Sequence, residues 1–337
     1  MGLLVNGQWH DQWYDTSSHG GRFERDQSLF RNRIGEGPFR AEAGRYHLYV
    51  SLACPWAHRT LIAHRLKGLD KIVSISSVHP LMLKNGWEYR QDPAFKHPRY
   101  ALGDPLYGSR YHHQLYTRAR PDYSGRVTVP VLWDRKEATI VNNESADILR
   151  IFNSAFAGLQ NQGPDLYPKA LRRDIDSINE QVYASINNGV YRCGFATTQE
   201  AYEEAFEALF EALDEVEARL SRQRYLAGDR LTEADWRLFT TLVRFDPVYH
   251  GHFKANLRRI ADYPNLSNYL RELYQLPGIA ETTDFRHIKH HYYASHRSIN
   301  PTGIVPRGPA IELERGHDRA RLDSPAERAT PASPPAP

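Results

Sequence analysis

The run from Tyr49 to Arg59 constrains the fold more than any other segment, because an apolar extended stretch ends at a cysteine and a proline follows at once. Pro55 suits the first position of a helix, where its missing N–H breaks no hydrogen bond and its fixed φ is already helical. Cys54 then lies at the helix start, where unpaired N–H groups and the helix dipole favour a thiolate. We predict a reactive thiol; the alternative is a small buried residue at a strand end.

The flanking segments predict a βαβ unit. A strand is expected over about 45–52, a helix over about 55–67 and a second strand over the β-branched run at about 72–78. Two strands that enclose such a helix should be parallel. A strand that turns into a helix with a thiol at the turn is the thioredoxin-fold arrangement. Ala57 replaces the second cysteine of a Cys-x-x-Cys pair, so a mixed disulfide at Cys54 needs a soluble thiol to resolve it.

A strand, a turn, a strand and a helix are predicted over about 126–149. Pro130 cannot donate a ladder hydrogen bond, so it belongs at an edge or follows a cis peptide bond. In thioredoxin-like folds a proline there faces the reactive helix, and the backbone before it is free to pair with a peptide. Glu144 and Ser145 open the next helix, where they either receive an anion or simply cap the helix. Residues 79–126 interrupt the domain and, being rich in aromatic residues, predict a packed functional insertion.

From about residue 169 the spacing of apolar residues becomes that of a helix. Apolar residues recur every three or four positions from Leu171 to Ile186 and from Tyr202 to Leu220, and Thr232 with Asp235 resembles a capping box at the start of an apolar helix. The fold class is therefore α/β plus all-α, with a thioredoxin-like N-terminal domain followed by an all-helical domain. The predicted divisions are an extended arm at 1–44, the thioredoxin-like domain at 45–156, the helical domain at 169–305 and a disordered Pro-rich tail at 306–337.

Composition excludes several classes of protein. The 337 residues are enough for two cores. Two cysteines exclude a disulfide framework and, with no basic leader and no long apolar run, favour a cytoplasmic protein. The 43 basic and 40 acidic residues are interspersed, which argues against nucleic-acid and membrane partners. The histidines at 287–296 lack cysteine or carboxylate ligands at suitable spacing, so no metal is expected.

The layout resembles the glutathione transferases, and four runs match a narrower group. These runs are Ser51–Arg59, Gly189–Gln199, Arg244–Tyr249 and His291–Pro306. Together they resemble the glutathionyl-hydroquinone reductases, which are the xi-class transferases. Cys193 and the Pro-rich tail depart from that pattern. The resemblance also implies a homodimer in which the helical domains supply most of the contact.

The resemblance implies a thiol-dependent reduction with glutathione as co-substrate. The Cys54 thiolate attacks the sulfur of a glutathionyl-hydroquinone, hydroquinone leaves, and glutathione stays on Cys54 as a mixed disulfide. A second glutathione then resolves that disulfide. The glutathione-binding residues implied by the resemblance are Trp87, Arg126, Val129, Glu144 and Ser145.

The hydroquinone side requires an acid, because attack at sulfur leaves an aromatic carbon that needs a proton. The matching segments offer Tyr191, Tyr249 and either Tyr292 or Tyr293. We predict Tyr191 as the catalytic acid, with Tyr249 and Tyr292 beside it in the hydroquinone site. Nothing marks an electropositive setting for Cys193, so we expect no catalytic role for it.

Two alternatives stay open. An omega-like thiol transferase or dehydroascorbate reductase would use the same Cys54 cycle on other mixed disulfides, and the aromatic second site is what separates it from a hydroquinone reductase. A non-catalytic, transferase-like binding module would not need an activated cysteine at all.

Overall fold

A computed structural model describes residues 2–159 and 163–323 of the chain. The strands of these residues are β1 (Leu3–Val5), β2 (Gln8–His10), β3 (Tyr46–Val50), β4 (Val73–Ser77), β5 (Met82–Leu83), β6 (Gly86–Trp87), β7 (Ala101–Leu102), β8 (Gly125–Arg126), β9 (Val131–Asp134) and β10 (Thr139–Asn142). The α-helices are α1 (Pro55–Leu66), α2 (His113–Ala119), α3 (Ser145–Ser154), α4 (Arg172–Gln181), α5 (Gly189–Phe195), α6 (Gln199–Leu220), α7 (Glu233–Arg244), α8 (His250–His252), α9 (Pro264–Gln275) and α10 (Phe285–Ser295).

The predicted βαβ unit forms the centre of the N-terminal half. The main sheet has the order β10-β9-β3-β4-β7, in which β3 and β4 are parallel and β9 runs antiparallel to β3 and β10. All five residues of β3 are buried, as expected for the middle of a sheet that helices cover. The helices α1 and α3 pack against each other over this sheet. This arrangement, followed by the helices α4 to α10, confirms the predicted fold class.

The helical half is organised around α7. Thr232 and Asp235 form the predicted capping box, and nearly every residue of α7 is buried. A π-helical segment at Val182–Asn187 joins α4 to α5, and a second one at Phe245–Tyr249 joins α7 to α8. Both segments lie next to residues of the site described below, which is where such wider turns are often found.

The N-terminal arm differs from its prediction. We expected an extended segment, yet β1 pairs with β2 and with β8 in a small antiparallel sheet. Phe23 and Phe30 of the arm are buried in the main hydrophobic core. Burial by several different elements, rather than by one face, explains why the arm shows no periodic pattern in the sequence. The insertion is packed as expected, with Tyr116 fully buried on α2.

The prediction of a disordered tail is wrong for residues 306–323, while residues 324–337 lie outside the described residues. Arg319 is fully buried and donates hydrogen bonds to the carbonyls of Leu220, the last residue of α6, and of Gln223 and Arg224 just beyond it. These carbonyls have no partner inside the helix, so a guanidinium group is a favourable cap for them.

No helix in the described ranges is long and apolar enough to span a membrane.

Candidate active site

A cavity of about 340 Å³ lies where the start of α1, the start of α3, the N-terminal arm, α5 and α10 meet. Its volume is in the range of about 300–1,000 Å³ that is usual for small-molecule sites. Most of the residues predicted to act on substrate line this cavity. They are Cys54, Trp87, Arg126, Val129, Glu144, Ser145, Tyr191 and Tyr292.

Cys54 is the residue before the first turn of α1, and its backbone is extended, with φ −77° and ψ 123°. Pro55 follows at the first helical position, as the sequence predicted. The half-buried thiol points to the carbonyl of Val129, with Sγ and the oxygen 3.7 Å apart. A thiol that donates to a carbonyl is held in its protonated form.

The surroundings of Cys54 oppose the expected thiolate. Burial raises the pKa of the Cys54 thiol, and this outweighs the opposing effect of the helix N–H groups and of two nearby guanidinium groups. The groups that lower this pKa are the N–H groups of Ala57 and Trp56 and the side chains of Arg244 and Arg25. The sequence shows the helix start but not the depth at which the thiol lies, so the sequence alone missed the larger effect.

A buried cation lies beneath the cysteine turn. Arg244, at the end of α7, donates hydrogen bonds to the carbonyls of Ala53 and Leu52 at 2.9 and 3.3 Å. It also donates to Nδ1 of His58 at 2.9 Å. Burial, and then the charge of Arg244, lower the pKa of His58 well below its usual range, so this ring is neutral and accepts. The helical half therefore fixes the turn that carries the thiol.

Val129 and Glu144 form the side of the cavity predicted to hold glutathione. The Val129–Pro130 peptide bond is cis, and no hydrogen bond within the described part of the chain uses the Val129 N–H. Glu144 caps α3 by accepting from the Ala146 N–H at 3.1 Å, and it also accepts from the hydroxyl of Ser28 at 3.2 Å. The capping role that the sequence left open is thus present, and the helix start still faces the cavity.

Arg126 and Trp87 lie on the wall with other partners already in place. The Arg126 guanidinium donates to the Asp26 carboxylate at 3.1 Å and to the Trp13 carbonyl at 3.2 Å, so it holds the arm against the domain. Trp87 is buried and stacks on His291, with ring centroids 4.7 Å apart. Burial lowers the pKa of His291 to about 3, so this ring is uncharged.

Three tyrosine hydroxyls form a chain at the far end of the cavity. The hydroxyls of Tyr191 on α5 and Tyr292 on α10 are 2.6 Å apart, and those of Tyr292 and Tyr249 are 3.1 Å apart. Burial raises the pKa of all three hydroxyls, so each is protonated at neutral pH. A protonated hydroxyl at the wall of a cavity can serve as a general acid for a substrate bound there.

The structure shows which of Tyr292 and Tyr293 faces the cavity, a choice that the sequence left open. Tyr292 lines the cavity, whereas Tyr293 points away and donates to the carbonyl of Pro247 at 3.3 Å. Tyr249 was expected to touch hydroquinone, but it lies behind Tyr292 and does not line the cavity. Cys193 is buried and faces elsewhere; burial raises the pKa of its thiol to about 12.

Sequence reasoning missed the contribution of the arm. Several of its residues line the cavity, so the arm is a wall of the site rather than a cover on the outside. The available signal was composition, because aromatic and arginine side chains recur over residues 13–31. The lining residues of the arm are Trp13, Tyr14, Phe23, Arg25, Asp26, Gln27, Ser28 and Arg31.

Across residues 2–159 and 163–323, no group of three histidine, cysteine or acidic side chains is arranged to hold a metal.

Comparisons with known proteins identify the family. Residues 53–155 match the glutathione S-transferase N-terminal domain, and residues 199–272 match the glutathione S-transferase C-terminal domain. The chain is 47% identical to a xi-class glutathione transferase from Natrialba magadii of known structure, covering 96% of this chain and 98% of that one with a TM-score of 0.87. The chain belongs to the xi class of glutathione transferases.

Two further relatives of this xi-class transferase are named for an activity. Glutathionyl-hydroquinone reductase YqjG of Escherichia coli is 56% identical over 95% of this chain and 98% of that protein. Its glutathione-bound structure superposes with a TM-score of 0.85 and covers 95% of this chain and 99% of that one, at 52% identity. Glutathionyl-hydroquinone reductase PcpF of Sphingobium chlorophenolicum is 56% identical over 93% of this chain and 98% of that protein. The family resemblance inferred from the sequence is thereby confirmed.

Proposed function

We propose that this protein is a glutathionyl-hydroquinone reductase, which uses glutathione to convert S-glutathionyl-hydroquinones to hydroquinones. One observation carries the proposal: a half-buried thiol at a helix start shares a single cavity with Val129, whose N–H no other described residue uses, and with tyrosine hydroxyls. The names of the relatives support the same assignment.

In the proposed glutathione site, the backbone of Val129 pairs with the cysteinyl part of the tripeptide. Glu144 and Ser145, at the start of α3, receive its γ-glutamyl end, and Trp87 covers it from the side. Arg126 acts through the arm that it holds in place. Pairing of glutathione with the Val129 carbonyl competes with the Cys54 thiol for its acceptor, which favours the thiolate once substrate is bound.

In the proposed reaction, the Cys54 thiolate attacks the sulfur that joins glutathione to the ring. Tyr191 delivers the proton that replaces sulfur on the ring carbon, a sulfur–sulfur bond forms, and the carbon–sulfur bond breaks. Tyr292 hydrogen-bonds to Tyr191, and Tyr249 supports Tyr292 from behind. A second glutathione thiolate attacks the mixed disulfide at the glutathione sulfur and releases glutathione disulfide and the Cys54 thiolate. No step uses a metal.

The test is steady-state turnover of a synthetic glutathionyl-hydroquinone with free glutathione. We expect hydroquinone and glutathione disulfide in equal amounts, and no turnover by the Cys54→Ala variant. Cys193→Ala is the matched control, because its thiol is buried away from the cavity, and it should keep most of the activity. Activity that survives loss of Cys54 but not of Cys193 contradicts the assignment of the nucleophile.

We also propose a cytoplasmic homodimer that binds neither nucleic acid nor membranes. Two free cysteines and the consumption of glutathione suit a reducing compartment. The dimer is proposed from the family, with the helical halves in contact. A monomeric mass in solution at micromolar concentration would end that part of the proposal.

A further inference from the structure

Four arginine side chains on or against the N-terminal arm are paired with carboxylates, whereas Arg25 is not. Arg22 pairs with Glu204 at 2.7 Å, Arg31 and Arg33 both lie against Asp147, and Arg126 pairs with Asp26. A buried or half-buried cation usually has such a partner, because removing a charge from water is unfavourable. Arg25 forms no ion pair with any carboxylate of residues 2–159 and 163–323, although it lines the cavity.

Aromatic rings hold the Arg25 guanidinium in place. Its central carbon lies 4.9 Å from the ring centre of Trp56, 5.0 Å from that of Tyr191 and 5.4 Å from that of Phe23. Its Nε donates to the side-chain oxygen of Asn188 at 3.4 Å. Three rings and one hydrogen bond fix the plane of a group that is rigid by nature.

Two donors on this wall lack acceptors. Nη2 of Arg25 and Nε1 of Trp56 are both enclosed, and neither has a hydrogen-bond partner within the described ranges. Enclosed donors are normally paired, so two unpartnered donors on the wall of a cavity are suited to receive an acceptor from a molecule bound there. Trp56 is two residues from Cys54, and Tyr191 is the proposed acid. The unpartnered donors therefore lie where the aromatic part of the substrate belongs.

We propose that Arg25 is a further catalytic residue, which binds a ring oxygen of the glutathionyl-hydroquinone and stabilises the phenolate that forms when the carbon–sulfur bond breaks. This inference rests on the function proposed above. Its consequence for specificity is that the substrate must carry an oxygen next to the sulfur-bearing carbon. Aryl conjugates of glutathione without that oxygen should not be cleaved.

The electron balance explains why a cation is useful here. Tyr191 gives a proton to the sulfur-bearing carbon, and the neighbouring ring hydroxyl returns its own proton to the hydrogen-bonded tyrosine hydroxyls, so the substrate becomes its keto tautomer with no net change in protons. Attack of Cys54 on sulfur then breaks the carbon–sulfur bond, and the electron pair restores the aromatic ring and leaves the negative charge on the ring oxygen. Protonation of that phenolate gives hydroquinone. A preorganised guanidinium at the ring oxygen stabilises the charge as it develops.

The experiment compares Arg25→Met and Arg25→Lys with the control Arg22→Met. Arg22 lies on the same arm, but it is paired with Glu204 and does not line the cavity. Each variant is assayed on a glutathionyl-hydroquinone and on the mixed disulfide of glutathione with 2-mercaptoethanol, which needs Cys54 but has no ring. We expect Arg25→Met to lower kcat/KM for the aromatic substrate by about 10- to 100-fold, which is the usual effect of losing a charge-assisted hydrogen bond. The rate of the mixed-disulfide reaction should stay within about twofold of that of the unmodified protein. Arg25→Lys should retain part of the activity.

A second readout does not depend on turnover. The absorption of 4-nitrophenol distinguishes phenol from phenolate, and binding next to Arg25 should make the bound probe ionise at lower pH than the free probe. Arg25→Met should abolish that shift, and Arg22→Met should keep it.

Three outcomes would overturn the inference: an Arg25→Met variant with unchanged aromatic turnover, equal losses on both substrates, or an unchanged 4-nitrophenol shift. Failure of the proposed function is a different result, because the unmodified protein would then show no turnover of any glutathionyl-hydroquinone.

Discussion

Removing the Tyr191 hydroxyl tests the aromatic half of the site. In Tyr191→Phe the cavity keeps its shape, and Tyr292 loses the partner at 2.6 Å but keeps Tyr249 at 3.1 Å. One buried hydrogen bond contributes about 1 kcal/mol, so the protein should still fold. General acid catalysis is worth about a hundredfold to ten-thousandfold in rate.

The expected loss is smaller than the full effect of an acid, because Tyr292 also lines the cavity and can deliver a proton in place of Tyr191. We therefore expect turnover of glutathionyl-hydroquinone to fall by at least about tenfold, or at least about 1.4 kcal/mol of transition-state stabilisation. The double variant Tyr191→Phe, Tyr292→Phe should lose more than either single variant.

The assay pairs the aromatic substrate with a small non-aromatic mixed disulfide, which reports Cys54 alone. Tyr293→Phe is the matched control, since that hydroxyl points to the Pro247 carbonyl and away from the cavity. Equal losses on both substrates would refute the reasoning. The tyrosines would then shape the fold or the glutathione site, and an omega-like thiol transferase would be the better interpretation.

Three other predictions follow from the same contacts. Alkylation of Cys54 without glutathione should accelerate as pH rises through and above the usual cysteine range, because burial raises the pKa of this thiol. Arg244→Met should move the pH profile of alkylation to still higher pH, because the charge of Arg244 lowers that pKa. Complete alkylation at mildly acidic pH would contradict this prediction. Arg319→Met should lower the free energy of unfolding in a urea titration by at least about 2 kcal/mol, since charge-assisted hydrogen bonds contribute about 1.5–3 kcal/mol each. An unchanged unfolding midpoint would show that packing of the tail does not stabilise the protein. Cys193→Ser should keep its activity, and a large loss would reveal a role that burial of this thiol argues against.

Local signals in the sequence were sufficient for the framework of the fold. The strand that ends at Cys54, the proline that starts α1 and the capping box of α7 each depend on residues adjacent in the chain. Such features are decided by backbone chemistry over a few positions, so one sequence is enough to recognise them. Tyr191 and Tyr292, by contrast, were chosen from the family resemblance, because nothing local distinguishes them from the other tyrosines.

Features decided by distant contacts could not be predicted. The arm lacks a regular spacing of apolar residues because different elements bury them: Phe23 packs against Tyr191, and Phe30 packs against Tyr116. The tail reads as disordered from its composition, yet Arg319 finds carbonyls about a hundred positions earlier in the chain. The pKa of Cys54 is a balance between the helix start, which the sequence shows, and burial, which only the fold reveals.

In the proposed reaction, Cys54 takes glutathione from the aromatic ring and holds it as a covalent intermediate. The most direct measurement is a single turnover of the protein with glutathionyl-hydroquinone in the absence of free glutathione, followed by intact-mass and peptide mass spectrometry. We expect one hydroquinone released for each active site and one glutathionyl group on Cys54, which added glutathione then removes. Hydroquinone release without that adduct, or undiminished release by Cys54→Ser, would contradict it.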